Sequence, residues 1–108
     1  MANVNYIKNL DSFNLLVAKT ATSTKSMIVG FTAAWCPQSQ RVGPIFAAMS
    51  QEAENAGWIF RIVDVEVAAD VSRQAHIRCI PTFKVYKGGV EVGMLQGASE
   101  KQGIRGLL

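Results

Sequence analysis

The sequence predicts an α/β fold in which a central mixed sheet carries helices on both faces. Strand-type stretches alternate with stretches whose apolar residues recur at helical spacing, in the order β-α-β-α-β-α-β-β-α. This alternation indicates parallel strands joined by helical crossovers, and the hairpin signal Lys87-Gly88-Gly89 adds antiparallel strands. With 108 residues of which 49% are apolar, residues 1–108 are expected to form a single domain.

The first part of the chain is expected to contain two strands separated by a helix. Residues 4–7 suit a short strand, and Asp11 and Ser12 favour the start of the helix that follows. Residues 20–26 are small and polar and are expected to be a loop. Residues 27–31 form a continuous apolar run, which is typical of a strand buried on both faces.

A second helix is expected after this strand, since apolar residues again recur at helical spacing: Val42, Ile45, Phe46, Met49 and Ala53. Pro44 lies inside that pattern and should kink the helix, and Gly57 should close it. Residues 59–65 suit a third strand, and residues 82–86 and 90–95 suit the hairpin strands. The remaining apolar residues predict a third helix and a short last one: Val67, Val71 and Ala75, then Ile104, Leu107 and Leu108.

Charge and composition exclude several classes of function. The net charge is +3, but the eleven basic residues are scattered among eight acidic ones, so no nucleic-acid partner is expected. No apolar stretch reaches the roughly 18 residues of a membrane span. Two cysteines and one histidine make neither a disulfide framework nor a zinc site, so no metal or other cofactor is expected. Without a secretory signal pattern, the expected compartment is the cytoplasm.

The main candidate for chemistry is Cys36, which follows the buried strand and opens the second helix. Unpaired N–H groups and the helix dipole at such a position favour a thiolate, the nucleophile of disulfide exchange. Pro37 suits the first helical position. The competing interpretation is that Cys36 is a small core residue. Its context favours a site, because Trp35-Cys36-Pro37 at a strand-to-helix junction, with Ile80-Pro81-Thr82 further on, is not a generic packing pattern.

These residues resemble the thioredoxin family, whose motif is Trp-Cys-Gly-Pro-Cys after a buried strand. Here the motif reads Trp35-Cys36-Pro37-Gln38-Ser39, and Ile80-Pro81-Thr82-Phe83 matches the loop in which the family has a cis proline. The resemblance covers nearly the whole chain and implies a thioredoxin-like three-layer α/β/α sandwich with thiol–disulfide exchange activity. Further matches are Phe31, Ala33, Pro44, residues 63–65, residues 87–89 and Gly97.

Three departures from the family pattern bear on activity. Ser39 stands where the family has its resolving cysteine, Gly30 replaces a buried aspartate, and Ile62 replaces a charged residue on the next strand. A hydroxyl cannot resolve a mixed disulfide, so Cys36 would form mixed disulfides with proteins or glutathione and depend on an external thiol reductant. Ser39 is also expected to donate a hydrogen bond to the Cys36 thiolate. The departures fit together, since a site without a resolving thiol has less need of a buried proton acceptor.

The resemblance also assigns roles around the nucleophile. Trp35, Pro37, Ile80 and Pro81 are expected to bind substrate: Trp35 as a partly exposed platform rather than a core aromatic, and Ile80, if Pro81 is cis, as backbone that pairs with an extended peptide. For Cys79 the favoured interpretation is a partly buried structural thiol. Pairing between two chains and resolution of the Cys36 mixed disulfide are the alternatives.

Two further charged residues are interpreted as surface features: Arg41 as a solvated helix residue, and His76 as a residue away from the site. The sequence therefore predicts an oxidoreductase that lacks the resolving cysteine. One alternative is a non-catalytic binding module that uses the groove between Trp35 and Pro81. The other is a trapping variant of an ordinary dithiol reductase, with serine introduced at position 39.

Overall fold

The computed structural model describes residues 4–97 and 101–108, in which five strands form one mixed sheet of order β1-β3-β2-β4-β5. The strands are β1 (Asn5–Tyr6), β2 (Ser26–Thr32), β3 (Trp58–Asp64), β4 (Thr82–Lys87) and β5 (Val90–Gln96). The helices in these residues are α1 (Leu10–Thr22), α2 (Pro37–Ser50), α3 (Ala69–Gln74) and α4 (Lys101–Arg105), with a 3-10 helix at Ala53–Asn55.

Parallel and antiparallel pairing divide the sheet. β3 pairs in parallel with β1 and β2. Helix α1 connects β1 to β2 and helix α2 connects β2 to β3, so each strand starts again from the same edge of the sheet. β4 pairs antiparallel with β2 and β5. The predicted central mixed sheet is therefore confirmed.

Two hydrophobic clusters lie on opposite faces of this sheet. One joins α1 and α3 to the sheet through Phe13, Val29 and Val71, and the other contains Phe46 of α2 and Ile104 of α4. Every residue from 27 to 31 is buried, as predicted for a strand covered on both sides. The arrangement is the three-layer α/β/α sandwich expected from the sequence.

Helix α1 runs further than predicted, through part of the segment 20–26 that was expected to be a loop. Thr20 is buried, and its side-chain hydroxyl donates to the carbonyl of Val17 at 2.6 Å. The same hydroxyl accepts from the N–H of Gly89 at 2.9 Å, and the Thr20 carbonyl accepts from the N–H of Gly88. This long-range contact with the β4–β5 turn explains why a polar segment stays helical.

The end of α2 and the start of α3 also differ from the prediction. Helix α2 contains Pro44, as predicted, but ends at Ser50 rather than continuing to Gly57. The side-chain amide of Asn55 donates to the carbonyl of Met49 at 2.9 Å, so a side chain takes one of the carbonyls left free at the helix end. Val67, expected in the third helix, is exposed and lies before α3 in a turn held by the Asp64 carboxylate.

The β4–β5 hairpin turns on two glycines. Gly88 and Gly89 have φ angles of 61° and 84°, which L-residues with a side chain rarely adopt and which two-residue hairpin turns require. Lys87, expected in the turn, is instead the last residue of β4. The predicted hairpin is confirmed with this small shift.

One buried cation links the sheet to α3. The side chain of Lys84 on β4 is 6% exposed, and its Nζ donates to the carbonyl of Ala75 at 2.6 Å and to Glu91 Oε1 at 2.7 Å. Composition alone indicates scattered surface charges and gives no sign of this burial. The link ties the end of α3, and so the start of the loop at residues 76–81, to the sheet.

Replacing Lys84 with methionine is expected to lower the free energy of unfolding by about 1–3 kcal/mol, because the Ala75 carbonyl loses its donor. Urea denaturation measures this loss. The exposed Lys8→Met substitution is the matched control and should change stability by no more than about 0.5 kcal/mol. Equal stability of the two variants would contradict the structural role of the Lys84 ammonium.

Candidate active site

Cys36 lies at the junction of β2 and α2, at the carboxyl end of the central parallel strands. It is the N-cap residue of α2 with an extended backbone (φ −84°, ψ 118°), and Pro37 is the first helical residue. The Cys36 N–H donates to the Ala33 carbonyl at 3.1 Å, and the Cys36 carbonyl accepts from the N–H of Gln40 at 3.0 Å. The sequence prediction of a cysteine at a helix start is therefore correct.

Polar groups in the first turn of α2 favour the charged form of the Cys36 sulfur, which lowers the pKa of its thiol. The N–H of Ser39 is the largest cause that lowers the pKa of this thiol, followed by the Ser39 hydroxyl; burial opposes them, and the N–H of Gln38 adds a smaller lowering. Ser39 is buried, and its Oγ also accepts from the N–H of Ala33 at 3.4 Å. Since its oxygen is the acceptor there, the hydroxyl proton is free to point at the sulfur.

Exposure differs sharply between the two neighbours in the motif. Cys36 is 7% exposed, whereas Trp35 is 65% exposed, which is unusual for a large aromatic side chain. Trp35 is thus on the surface, as a platform requires, and its part in binding stays a prediction. The Cys36 residue as a whole is therefore mostly covered, next to an aromatic side chain that is mostly open to solvent.

The loop between α3 and β4 supplies the opposite side of the site. The Ile80–Pro81 peptide bond is cis, Pro81 is buried, and its carbonyl accepts from the N–H of Gly97 at 2.7 Å. Cys79 is exposed, so the favoured interpretation as a partly buried thiol is wrong. The reason is that residue 79 lies on an irregular loop, held locally by the Thr82 hydroxyl on the Cys79 carbonyl at 2.6 Å, and not in a packed element.

A groove of about 230 Å³ brings Trp35 together with this loop. We call it the Trp35–Ile80 groove; it is lined by Trp35, Val65, Ser72, Ile77, Arg78, Cys79 and Ile80. Of the predicted site residues, Trp35, Cys79 and Ile80 share the groove, while Cys36 and Ser39 lie together at the start of α2. Pro37 is exposed on α2 and does not line the groove.

Sequence reasoning did not single out four of the residues that line the groove: Val65, Ser72, Ile77 and Arg78. For two of these residues, Val65 and Arg78, their position next to a predicted element or site residue could have indicated a role in the groove. Val65 directly follows β3, whose carboxyl end lies at the same edge of the sheet as that of β2, and Arg78 directly precedes Cys79. Ser72 and Ile77 come from α3 and the loop after it, whose position depends on long-range packing.

The thioredoxin family model matches residues 4–108. The chain belongs to the thioredoxin family. Thioredoxin from Ictalurus punctatus is 40% identical over 96 residues, which cover 89% of this chain and 88% of that protein. Thioredoxin from Coprinus comatus is 41% identical over 96 residues, covering 89% and 87%.

The fold agrees with solved thioredoxin structures. The structure of Plasmodium falciparum thioredoxin superposes with a TM-score of 0.85 at 28% identity, covering 96% of this chain and 95% of that chain. The thioredoxin-like fold predicted from the sequence is confirmed. Thiol–disulfide redox chemistry is the general function of this thioredoxin-family chain, with protein disulfides and a reductant as the general kind of partner.

The three positions interpreted in the sequence analysis as departures from the family pattern are neighbours in space. Gly30 on β2 and Ile62 on β3 are register partners. A Cβ atom at Gly30 would lie 3.0 Å from Cε1 of Phe83, so the aromatic ring occupies the space where a side chain would begin. Ser39 and Ile62 both line a pocket of about 300 Å³, which also includes Asp64.

The other residues considered in the sequence analysis, Arg41 and His76, do not line the Trp35–Ile80 groove. Arg41 and His76 are both exposed, and His76 has a positive φ of 57° just after α3. Within residues 4–97 and 101–108, no three His, Cys, Asp or Glu side chains cluster in a way that would hold a metal ion. In the same part of the chain, no helix has the length and apolar character needed to cross a bilayer.

The Ser39→Ala substitution is expected to raise the pKa of Cys36, because it removes one of the donors to the sulfur. Alkylation of Cys36 measured as a function of pH reports the change, in a Cys79→Ser background so that one thiol reacts. Ser50→Ala, at the other end of α2, is the control and should leave the pKa unchanged. An unchanged pKa in Ser39→Ala would contradict the geometry.

The same shift makes stability depend on pH. The pKa of Cys36 is lowered in the folded chain, so ionisation of the thiol favours folding. This contribution is fully present above the ordinary thiol pKa and is lost as the pH falls through the lowered value. Urea denaturation at several pH values should therefore show a smaller dependence over this window in Ser39→Ala than in the unaltered chain.

Proposed function

We propose that this thioredoxin-family chain carries out one-thiol disulfide exchange, with Cys36 as the nucleophile and Ser39 as the residue that holds its thiolate. The observation that carries the proposal is the position of Cys36 as the N-cap residue of α2, where the N–H and hydroxyl of Ser39 lower the pKa of its thiol. A lowered thiol pKa favours the thiolate, which is the form of Cys36 that attacks a disulfide. Serine at position 39 has no sulfur, so it cannot attack the resulting mixed disulfide.

The proposed reaction has two exchange steps. The Cys36 thiolate attacks one sulfur of a substrate disulfide, forms a mixed disulfide with it and releases the other sulfur as a thiolate, which takes a proton from water. The thiolate of an external thiol such as glutathione then attacks the substrate-derived sulfur of this mixed disulfide. For a glutathione mixed disulfide, the products are the free protein thiol, oxidised glutathione and the regenerated Cys36 thiolate.

Substrate binding in this proposal uses the surface on both sides of the thiol. Trp35 offers an exposed aromatic face, and Pro37 is exposed at the start of α2. In the described residues, neither the N–H nor the carbonyl of Ile80 makes a backbone hydrogen bond, so both are free to pair with an extended peptide. The buried Pro81 anchors this stretch through the Gly97 N–H.

The setting of the activity is part of the proposal. We propose that the chain works as one domain, since the two hydrophobic clusters share a single sheet. We also propose a cytoplasmic location, where a pool of reduced thiols supplies the second step.

The test is exchange by the purified chain on a peptide–glutathione mixed disulfide with glutathione as reductant. The unaltered chain and Cys79→Ser should release peptide thiol at similar, glutathione-dependent rates, whereas Cys36→Ser should lose the activity. Loss of activity in Cys79→Ser would instead favour Cys79 as a resolving thiol. Folding of each variant is checked by its unfolding transition in urea.

Two further measurements separate the alternatives. A Cys36 pKa near about 8.5, together with no exchange, would overturn the proposal in favour of a binding module. If Ser39→Cys produces rapid turnover of a protein disulfide, the trapping variant is supported. If that variant stays inactive on protein disulfides, Gly30 and Ile62 are indicated as parts of a site adapted to one thiol.

A further inference from the structure

The Trp35–Ile80 groove is apolar apart from a few polar groups. Trp35, Val65, Ile77 and Ile80 supply apolar surface, and the Ser72 hydroxyl already donates to the Ala68 carbonyl at 3.4 Å. Arg78 is the one charged residue among those that line the groove. Among the described residues that line the groove there is no carboxylate, so their charge is positive.

Arg78 is free to bind an anionic partner. It is exposed, and within the described residues its guanidinium makes neither an ion pair nor a side-chain hydrogen bond, unlike Arg105, which pairs with Glu52 and Glu54. A guanidinium has five N–H donors in a planar fork that matches both oxygens of a carboxylate. The chain's net charge of +3 favours acidic partners further.

The groove is connected to the thiol by sequence, because one of its lining residues is the neighbour of Cys36. Trp35 precedes Cys36, and Ile80, whose backbone groups have no hydrogen-bond partner among the described residues, follows Arg78 by two residues. An extended peptide paired with Ile80 presents every second side chain on the same face. A side chain close in sequence to the attacked cysteine therefore reaches the groove.

Resting on the proposed function, we infer that Arg78 sets substrate preference: the chain favours disulfides whose cysteine has an acidic residue close by in the peptide. An apolar neighbour fills the rest of the groove beside Trp35. Because the contact is exposed, the expected preference of glutamate over glutamine is modest, about 1.5- to 5-fold in kcat/KM. It should weaken as salt concentration rises.

The experiment uses peptides joined by a disulfide to 2-mercaptoethanol, which carries no charge. The peptides differ only in having Glu, Gln or Lys at one or two residues before or after the cysteine. Exchange by the full chain should follow the order Glu, Gln, Lys at one or more of these positions. Arg78→Gln should remove the order and Arg78→Glu should reverse it. Arg73→Gln, an exposed cation outside the groove, is the control and should keep it.

The outcomes separate this inference from the proposed function. If all peptides react through Cys36 at equal rates, the inference is overturned and one-thiol exchange stands. If none reacts, one-thiol exchange fails, and binding of the same peptides to Cys36→Ser, followed by tryptophan fluorescence, decides the inference. Affinities in the order Glu, Gln, Lys that depend on Arg78 support it, and equal affinities overturn it.

Discussion

The position of the Cys36 sulfur at the N-terminus of α2 is the constraint on which the site depends. β2 delivers the chain to the start of a helix whose first N–H groups have no partner within the helix. The N–H and the hydroxyl of the buried Ser39 both lower the pKa of the Cys36 thiol. The charged sulfur is thus stabilised by the backbone geometry and by one side chain together.

The sheet determines what surrounds that sulfur. β2 is central, so its carboxyl end lies between the end of β3 and the beginning of β4. Val65 directly follows β3, and the Cys79–Pro81 loop directly precedes β4. The apolar groove and its arginine therefore come from parts of the chain that are distant in sequence and neighbours in the sheet.

Local signals were enough to predict the fold class and the position of Cys36 at a helix start. The buried run at residues 27–31, the strand-to-helix junction at residues 35–37 and the two glycines of the hairpin each have a local physical cause, and the structure confirms these three features. The helical state of Thr20 and the burial of Lys84 depend on partners far along the chain, Gly89 and Ala75 or Glu91. Such partners leave no periodic pattern, and the groove-lining role of Ser72 and Ile77 was missed for the same reason.

Because β2 pairs with β4, the surface next to the Cys36 thiol forms only after a later part of the chain has folded. A nascent chain that ends before residue 77 already contains the cysteine and its helix, but it lacks the segment that forms the facing wall. That wall is completed only when β4 docks beside β2, late in synthesis and across a long stretch of sequence. Before that docking, the Cys36 sulfur lacks the surface that we propose discriminates among partners, so the proposed selectivity emerges only with the last strands.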